Sequence, residues 1–418
     1  INTYGGYVLD ESMQYSVNGG EWVQLTAKTA ITFGGDKGTL RLRGKSANGT
    51  AKSDLSYAQI SFGDDNVQVA CSGDIRTLVD YENHATVSTA NARFCDLFLG
   101  CGSLTSAPDL PATTLADYCY RNMFRSCTSL TAAPELPATT LTEYCYYCMF
   151  YNCTSLTMAP ELPATTLAND CYESMFRLCT SLTVAPELPA TTLAESCYEC
   201  MFYDCTKLTT APELPATTLA NFCYRYMFWN CPNLTMAPEL PATTLARYCY
   251  AIMFYGCTSL TAAPELPATT LVDHCYYEMF WNCTNLTIAP ELHATTLAES
   301  CYKSMFKGCT SLTAAPELPA TTLTESCYYQ MFSGCTNLTP APELPATTLV
   351  KYCYQEMFSG CTSLSSITML ATDISAKDCL TDWVSGVASS GTFTKAAAMT
   401  SLPTGTSGIP EDWTVVNK

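Results

Sequence analysis

Leucine, cysteine, methionine and phenylalanine return at fixed distances through most of this chain. Leu115, Cys119, Met123 and Cys127 stand four apart, and the set recurs 26 residues later at Leu141, Cys145, Met149 and Cys153. A step of four keeps residues on one helical face, so the spacing predicts a helix from about Leu115. Thr114 precedes it as an N-cap. In Thr140–Glu143, Thr192–Glu195, Thr296–Glu299 and Thr322–Glu325 an acidic residue completes a capping box. The preceding Leu104–Leu110 reads as extended, closed by Pro111. It is short for a strand: Ala107 and Leu110 are three apart rather than two, and Pro108 removes a ladder donor, so a brief bridge followed by a bulge is expected. Eight core positions per coil follow: Cys101, Leu104, Ala107, Leu110, Leu115, Cys119, Met123 and Phe124.

The whole phrase, C-T-S-L-T-x-A-P-E-L-P-A-T-T-L-x-x-x-C-Y-x-x-M-F-x-x, is written ten times without insertion between Cys101 and Cys361. Its L-P-A-T-T-L proline recurs from Pro111 to Pro345, with His293 taking one turn. A fixed period of this length means a solenoid whose units bury their apolar sides only against their neighbours. One extended segment and one helix per coil give an α/β repeat, a leucine-rich-repeat solenoid of ten 26-residue coils. It is expected to span 93–361, opening with the degraded half-repeat Arg93–Cys101.

Residues 1–88 differ. Met13–Val17 and Glu21–Leu25 flank Asn18-Gly19-Gly20, a hairpin signal. Thr39–Arg43, Ala58–Phe62 and Val67–Cys71 also read as strands. This β-rich module is either a small sandwich or a cap over the solenoid's open end. Residues 362–418 read as a C-terminal cap, with a helix at Ala376–Val387 and strands at Gly391–Lys395 and Trp413–Val416.

Composition narrows the partners. The 20 Lys+Arg against 38 Asp+Glu give a net charge of −18, which argues against nucleic acid and anionic membrane surfaces. No stretch has the apolar length of a spanning helix. Of 26 cysteines, twenty-one belong to two columns of the repeat, one running from Cys119 to Cys353 and the other from Cys101 to Cys361. They occupy positions that need a small buried residue. Stacked side chains hold their Cβ vectors parallel, whereas a disulfide needs them converging, so reduced ladders are expected. Cys148 and Cys200 fall outside both columns and are expected to be exposed.

The order C-x2-L-x2-A, then L-P, then L-x3-C-Y-x2-M-F-x2-C resembles the BspA-like leucine-rich repeats of bacterial surface proteins. The resemblance covers about 93–365. The period is longer than usual in that family, and Cys-Tyr stands where its members carry Ile-Gly. The resemblance implies a cell-surface or secreted protein that adheres to host proteins or other cells. The closing Trp383-Val384-Ser385-Gly386 and Gly408-Ile409-Pro410 are also similar to the tails of such proteins, some of them prophage-associated.

Differences between copies point to function. The column Arg125, Tyr151, Arg177, Tyr203, Trp229, Tyr255, Trp281, Lys307, Ser333, Ser359 follows a core phenylalanine and is expected to face outward. Its first seven members form the candidate binding stripe, since Tyr, Trp and Arg are enriched in binding hot spots. The alternative is rings lying over neighbouring coils as packing. The invariant tyrosines, Tyr120 to Tyr354, read as a structural ladder with each hydroxyl reaching a backbone group. Asp109, Glu135, Glu161, Glu187, Glu213, Glu239, Glu265, Glu291, Glu317 and Glu343 form an acidic column, read as solvated carboxylates or a weak cation ladder. Ser106, Ala132, Met158, Val184, Thr210, Met236, Ala262, Ile288, Ala314 and Pro340 form a further column, either a floor of the concave face or a loose core position.

With three histidines and no G-x-S-x-G, glycine-rich phosphate loop or H-E-x-x-H, no catalytic constellation stands out and no cofactor is expected. The reading is non-enzymatic surface binding of a host surface or matrix protein, or of a glycan. The alternatives are a prophage-derived tail or receptor-binding component and a glycan-processing module.

Overall fold

The computed structural model describes residues 1–34, 37–63 and 67–418. The chain divides into two compact units, Ile1–Ala190 with Asp204–Thr206, and Thr191–Tyr203 with Lys207–Lys418. Both are built from stacked coils, and among the described residues the helical content is a single 3-10 turn, Ile75–Leu78.

The segments expected to be helical, including Leu115–Cys127 and Ala376–Val387, are ribbons of successive tight turns. In the first unit Cys119, Arg121, Met123, Arg125 and Cys127 donate their N–H groups to the carbonyls three residues back, at 3.0–3.2 Å. The residues between them donate to the next coil instead. Tyr120 reaches Cys145 O at 2.8 Å, Asn122 reaches Tyr147 O at 2.9 Å, and Phe124 reaches Met149 O at 3.0 Å. Every fourth residue is left-handed, with φ of 62° at Tyr118, 53° at Asn122 and 60° at Ser126. A helix would keep all these donors within its own segment; the ribbon spends half of them joining coils. It also explains the strict step of four. An α-helical face drifts by about 40° with each such step, so three steps in a row would carry a side chain well off the core, whereas the ribbon returns each one to it. With no helix present, Thr114 and its equivalents cap nothing.

Seven of the eight expected core positions of the first coil are buried, and Ala107 is half-buried. Successive coils superpose like side chains. In the second unit the rings of Tyr224 and Tyr250 lie 5.7 Å apart, and those of Phe254 and Phe280 5.5 Å apart, nearly parallel. The cysteines are thiols, and all but the half-buried Cys71 are buried. Cys148 and Cys200 are therefore not exposed, because their left-handed φ of 51° and 55° turns them against the adjoining coil rather than outward. The Cys127 column has a specific task. Cys153, Cys257, Cys283 and Cys335 each donate S–H to the phenylalanine carbonyl 29 residues earlier, at 3.0–3.1 Å. Alanine or valine would fill this position without supplying that donor. Burial pushes the Cys145 and Cys257 thiols up to about 12.

The extended part of each coil is as sparse as its prolines require. Ala132 bridges Met158 in the first unit, and Ala262 bridges Ile288 in the second. Where the repeat ends, a four-stranded parallel sheet forms from Pro340–Leu344, Ser366–Met369, Thr392–Lys395 and Thr414–Asn417. Ser366–Met369 has no proline, and four of its residues pair with Thr392–Lys395. The turn ribbon persists past the last repeat. Tyr354, Glu356 and Phe358 donate to Cys379, Thr381 and Trp383, and Trp383 fills the phenylalanine position.

In the first unit the predicted hairpin is present. Gln14–Val17 pairs antiparallel with Val23–Gln24 and with Leu40–Arg43. Asn18 and Gly19, at φ 52° and 73°, make the turn that matches strand twist. A second sheet orders Asn2–Thr3, Ser56–Gln59 and Ala51–Ser53. These segments bond the first coil directly. Ile60 N–H reaches Leu97 O at 2.7 Å, Ile75 N–H reaches Asp109 O at 3.1 Å, and Val69–Ala70 pairs with Leu104–Ser106.

Candidate binding surface

The ribbon sorts its residues in pairs. Cys119–Tyr120 and Met123–Phe124 point into the core, and most residues of the intervening pairs are half-buried or exposed, although Asn122 and its equivalents Cys148, Ser174, Cys200, Ile252 and Ser304 are buried. Identity follows the same division. The inward pairs are invariant through the copies, while the columns of Asp117, Tyr118, Arg121, Asn122, Arg125 and Ser126 change from coil to coil. Helical reasoning singled out only the Arg125 column. The other five needed the turn ribbon to be recognised, because a helix assigns these positions to different faces. Variation among the copies was the available signal.

All seven residues of the candidate stripe are half-buried. In the first unit the Arg125 guanidinium lies 4.5 Å from the centre of the Tyr151 ring, and Arg177 lies 5.6 Å from it. In the second unit Tyr203 stacks on Trp229 at 4.2 Å, and Trp229 on Tyr255 at 5.2 Å. Trp281 meets Tyr255 edge-on at 73°, and Lys307 covers Trp281 at 4.5 Å. Within each unit the structure brings the stripe's members together, and its flat rings lie against side chains of neighbouring coils.

A parallel row runs beside it. Phe222 stacks on Tyr248 at 5.3 Å and Tyr248 on His274 at 4.4 Å. Burial lowers the His274 imidazole below its usual range. A polar row links Arg225 to Glu199, Lys307 to Gln330 at 2.8 Å, and Gln330 to Glu356 at 2.7 Å. Glu278, partly buried among these rows, is raised above the usual carboxylate range by desolvation; its bond with Tyr277 and the ammonium groups of Lys303 and Lys307 oppose that shift.

The invariant tyrosines are a ladder, but not of the expected kind. The hydroxyls of Tyr146, Tyr276 and Tyr328 are buried without a hydrogen-bond partner. The nearby backbone N–H groups are already committed to turns and to the next coil.

The acidic column lies on the extended part of the coil. Its members are exposed except Glu343, which is half-buried. Among the described residues no three His, Cys, Asp or Glu side chains are grouped so as to hold a metal ion. The neighbouring column of variable size is exposed except at the half-buried Ser106, and is not a core position. Met158, Val184, Met236 and Ile288 are its large apolar members.

The comparison with protein families decides the identity. The family model of the BspA type leucine rich repeat region matches in six copies, over residues 96–235, 171–313 and 275–378. The chain belongs to the BspA-type leucine-rich-repeat family. Members of this family are typically surface or secreted repeat proteins that bind other proteins. No curated protein matches the chain. Among the described residues no helix is long and apolar enough to cross a membrane.

Proposed function

We propose that this BspA-type protein is a non-enzymatic adhesion protein at the cell surface, and that the outward face of its turn ribbon recognises a host protein or glycan. One observation carries the reading. Variation between copies gathers on the pairs of the ribbon that include its half-buried and exposed residues, while the pairs between them are held constant as core. A rigid scaffold presenting varied Tyr, Trp, Arg and acidic side chains has the composition of a recognition surface. Coverage of the flat rings by neighbouring coils favours a protein partner over a sugar, since ring faces are what a pyranose would stack on. The N-terminal strands, which bond the first coil's backbone, would serve as its cap.

The test is binding of the intact chain to host matrix proteins, mucins and bacterial polysaccharides, alongside Tyr203→Ala/Trp229→Ala/Trp281→Ala. The reading expects a protein ligand whose binding falls at least tenfold in the triple variant while the melting transition is retained. A ligand bound equally well by both chains would move recognition off the stripe.

A further inference from the structure

The extended side of the coils carries a second surface. In the second unit the column Thr210, Met236, Ala262, Ile288, Ala314 is exposed throughout, with Met236 72 % and Ile288 63 % accessible. Large and small residues alternate, so Met236 and Ile288 stand up as two knobs separated by a low step at Ala262. A groove opens between the coils at Met236, lined by Thr210, Pro212, Glu213, Pro238 and Glu239. A second opens at Ile288, bordered by Pro290, Glu291, Ala314 and Glu317. Side chains this apolar and this exposed, in a repeated row, mark an interaction surface rather than chance exposure.

The charge beside the row selects the occupant. Three residues after each knob stands the acidic column, exposed at Glu213, Glu239, Glu265, Glu291 and Glu317. Between each repeat's Cys and its Thr-Thr-Leu, the ten copies contain one lysine, Lys207, and no arginine. The repeats' other cations, such as Arg225, Lys303 and Lys307, belong to the turn ribbon. His293, 3.6 Å from Glu291, is the one histidine on this side, so the face is apolar and predominantly acidic. A second copy of the same face would meet it with like charge, which disfavours self-pairing. The chain itself supplies an example of the complementary contact: Lys418 places its Nζ 2.5 Å from Glu343 Oε2, the last member of the column.

We propose that this face of the second unit binds a lysine- or arginine-bearing amphipathic segment of a partner protein. Its apolar side chains seat against Met236 and Ile288, and its cations lie on the glutamate column. The surface is separate from the turn-ribbon stripe and does not depend on that reading.

The experiment uses the intact chain and a fluorescein-labelled leucine–lysine amphipathic peptide, followed by fluorescence anisotropy. An alanine–lysine peptide and a leucine–glutamate peptide of equal length serve as comparators, and Met236→Ser/Ile288→Ser as the variant. Both replaced side chains are exposed, and the melting transition of the variant checks that it folds. The expected result is saturable binding of the leucine–lysine peptide, at least tenfold weaker in the variant and at least tenfold weaker for either comparator. Binding that is absent, unchanged in the variant, or matched by the alanine–lysine peptide would overturn the proposal.

Discussion

Gly334→Ala distinguishes the ribbon from a helix by the sign of its effect. Gly334 sits at φ 76°, in the column that begins with Ser126. A Cβ placed there would meet Gly308 Cα at 3.6 Å and Gly308 N at 3.7 Å, ordinary van der Waals contacts. Steric conflict with neighbours therefore contributes little, and the backbone term remains. Holding an L-residue left-handed costs about 1–2 kcal/mol, partly offset by the smaller entropy of the unfolded alanine chain. The net expectation is a loss of about 1 kcal/mol. In a helix the same substitution would gain about 1 kcal/mol. The two accounts thus differ by about 2 kcal/mol and in direction. Urea unfolding followed by tryptophan fluorescence reads this as a shift in midpoint. Gly360→Ala repeats the test at φ 76°, with Gly334 Cα at 3.6 Å. A midpoint that rises in both variants would refute the left-handed assignment and the turn ribbon with it.

Three further outcomes follow from the packing. The thiols of Cys145, Cys223, Cys257, Cys301 and Cys361 are each pushed up by burial to about 12, against 9.0 for an ordinary thiol. The folded state holds these protons longer than the unfolded state, so stability is full below pH 9 and falls as pH rises toward 12. Each thiol contributes up to about 1.4 kcal/mol per pH unit in that window; a flat stability profile between pH 9 and 11 in a pH-dependent unfolding series would contradict it. Removing the partnerless hydroxyl in Tyr276→Phe should leave stability unchanged or raise it by up to about 1 kcal/mol, and a loss of that size in the melting curve would mean the hydroxyl is bonded. Native chain treated with maleimide at neutral pH should label slowly at Cys71 and be protected elsewhere, as mass spectrometry would show; rapid labelling of Cys148 or Cys200 would contradict their burial.

Repetition made the solenoid legible, because units of this length repeated ten times bury their apolar sides against their neighbours. The alternation around Asn18-Gly19 likewise declared its hairpin, since that turn's conformation is nearly dictated by its residues. What misled was the step of four. Leu115, Cys119, Met123 and Cys127 satisfy a helical template, and nothing in Tyr118, Asn122 or Ser126 announces a positive φ. Those residues are held left-handed by hydrogen bonds to a neighbouring coil, a tertiary effect that a single coil's sequence does not carry. Cys148 and Cys200 were misplaced for the same reason. The stripe was found through its variation, while its stacking onto neighbouring coils depended on the coil spacing. The column of Met236 and Ile288 stayed ambiguous because the pleat that would have placed it is interrupted by Pro238 and Pro290.

The measurement that bears most directly on the central claim is hydroxyl-radical footprinting of the chain with and without a protein ligand that it binds. The account predicts that oxidation of Tyr203, Trp229, Tyr255 and Trp281 falls on binding while Met236, on the extended side, keeps its reactivity. Unchanged oxidation of those four rings in a saturated complex would contradict the claim that the turn ribbon is the recognition surface.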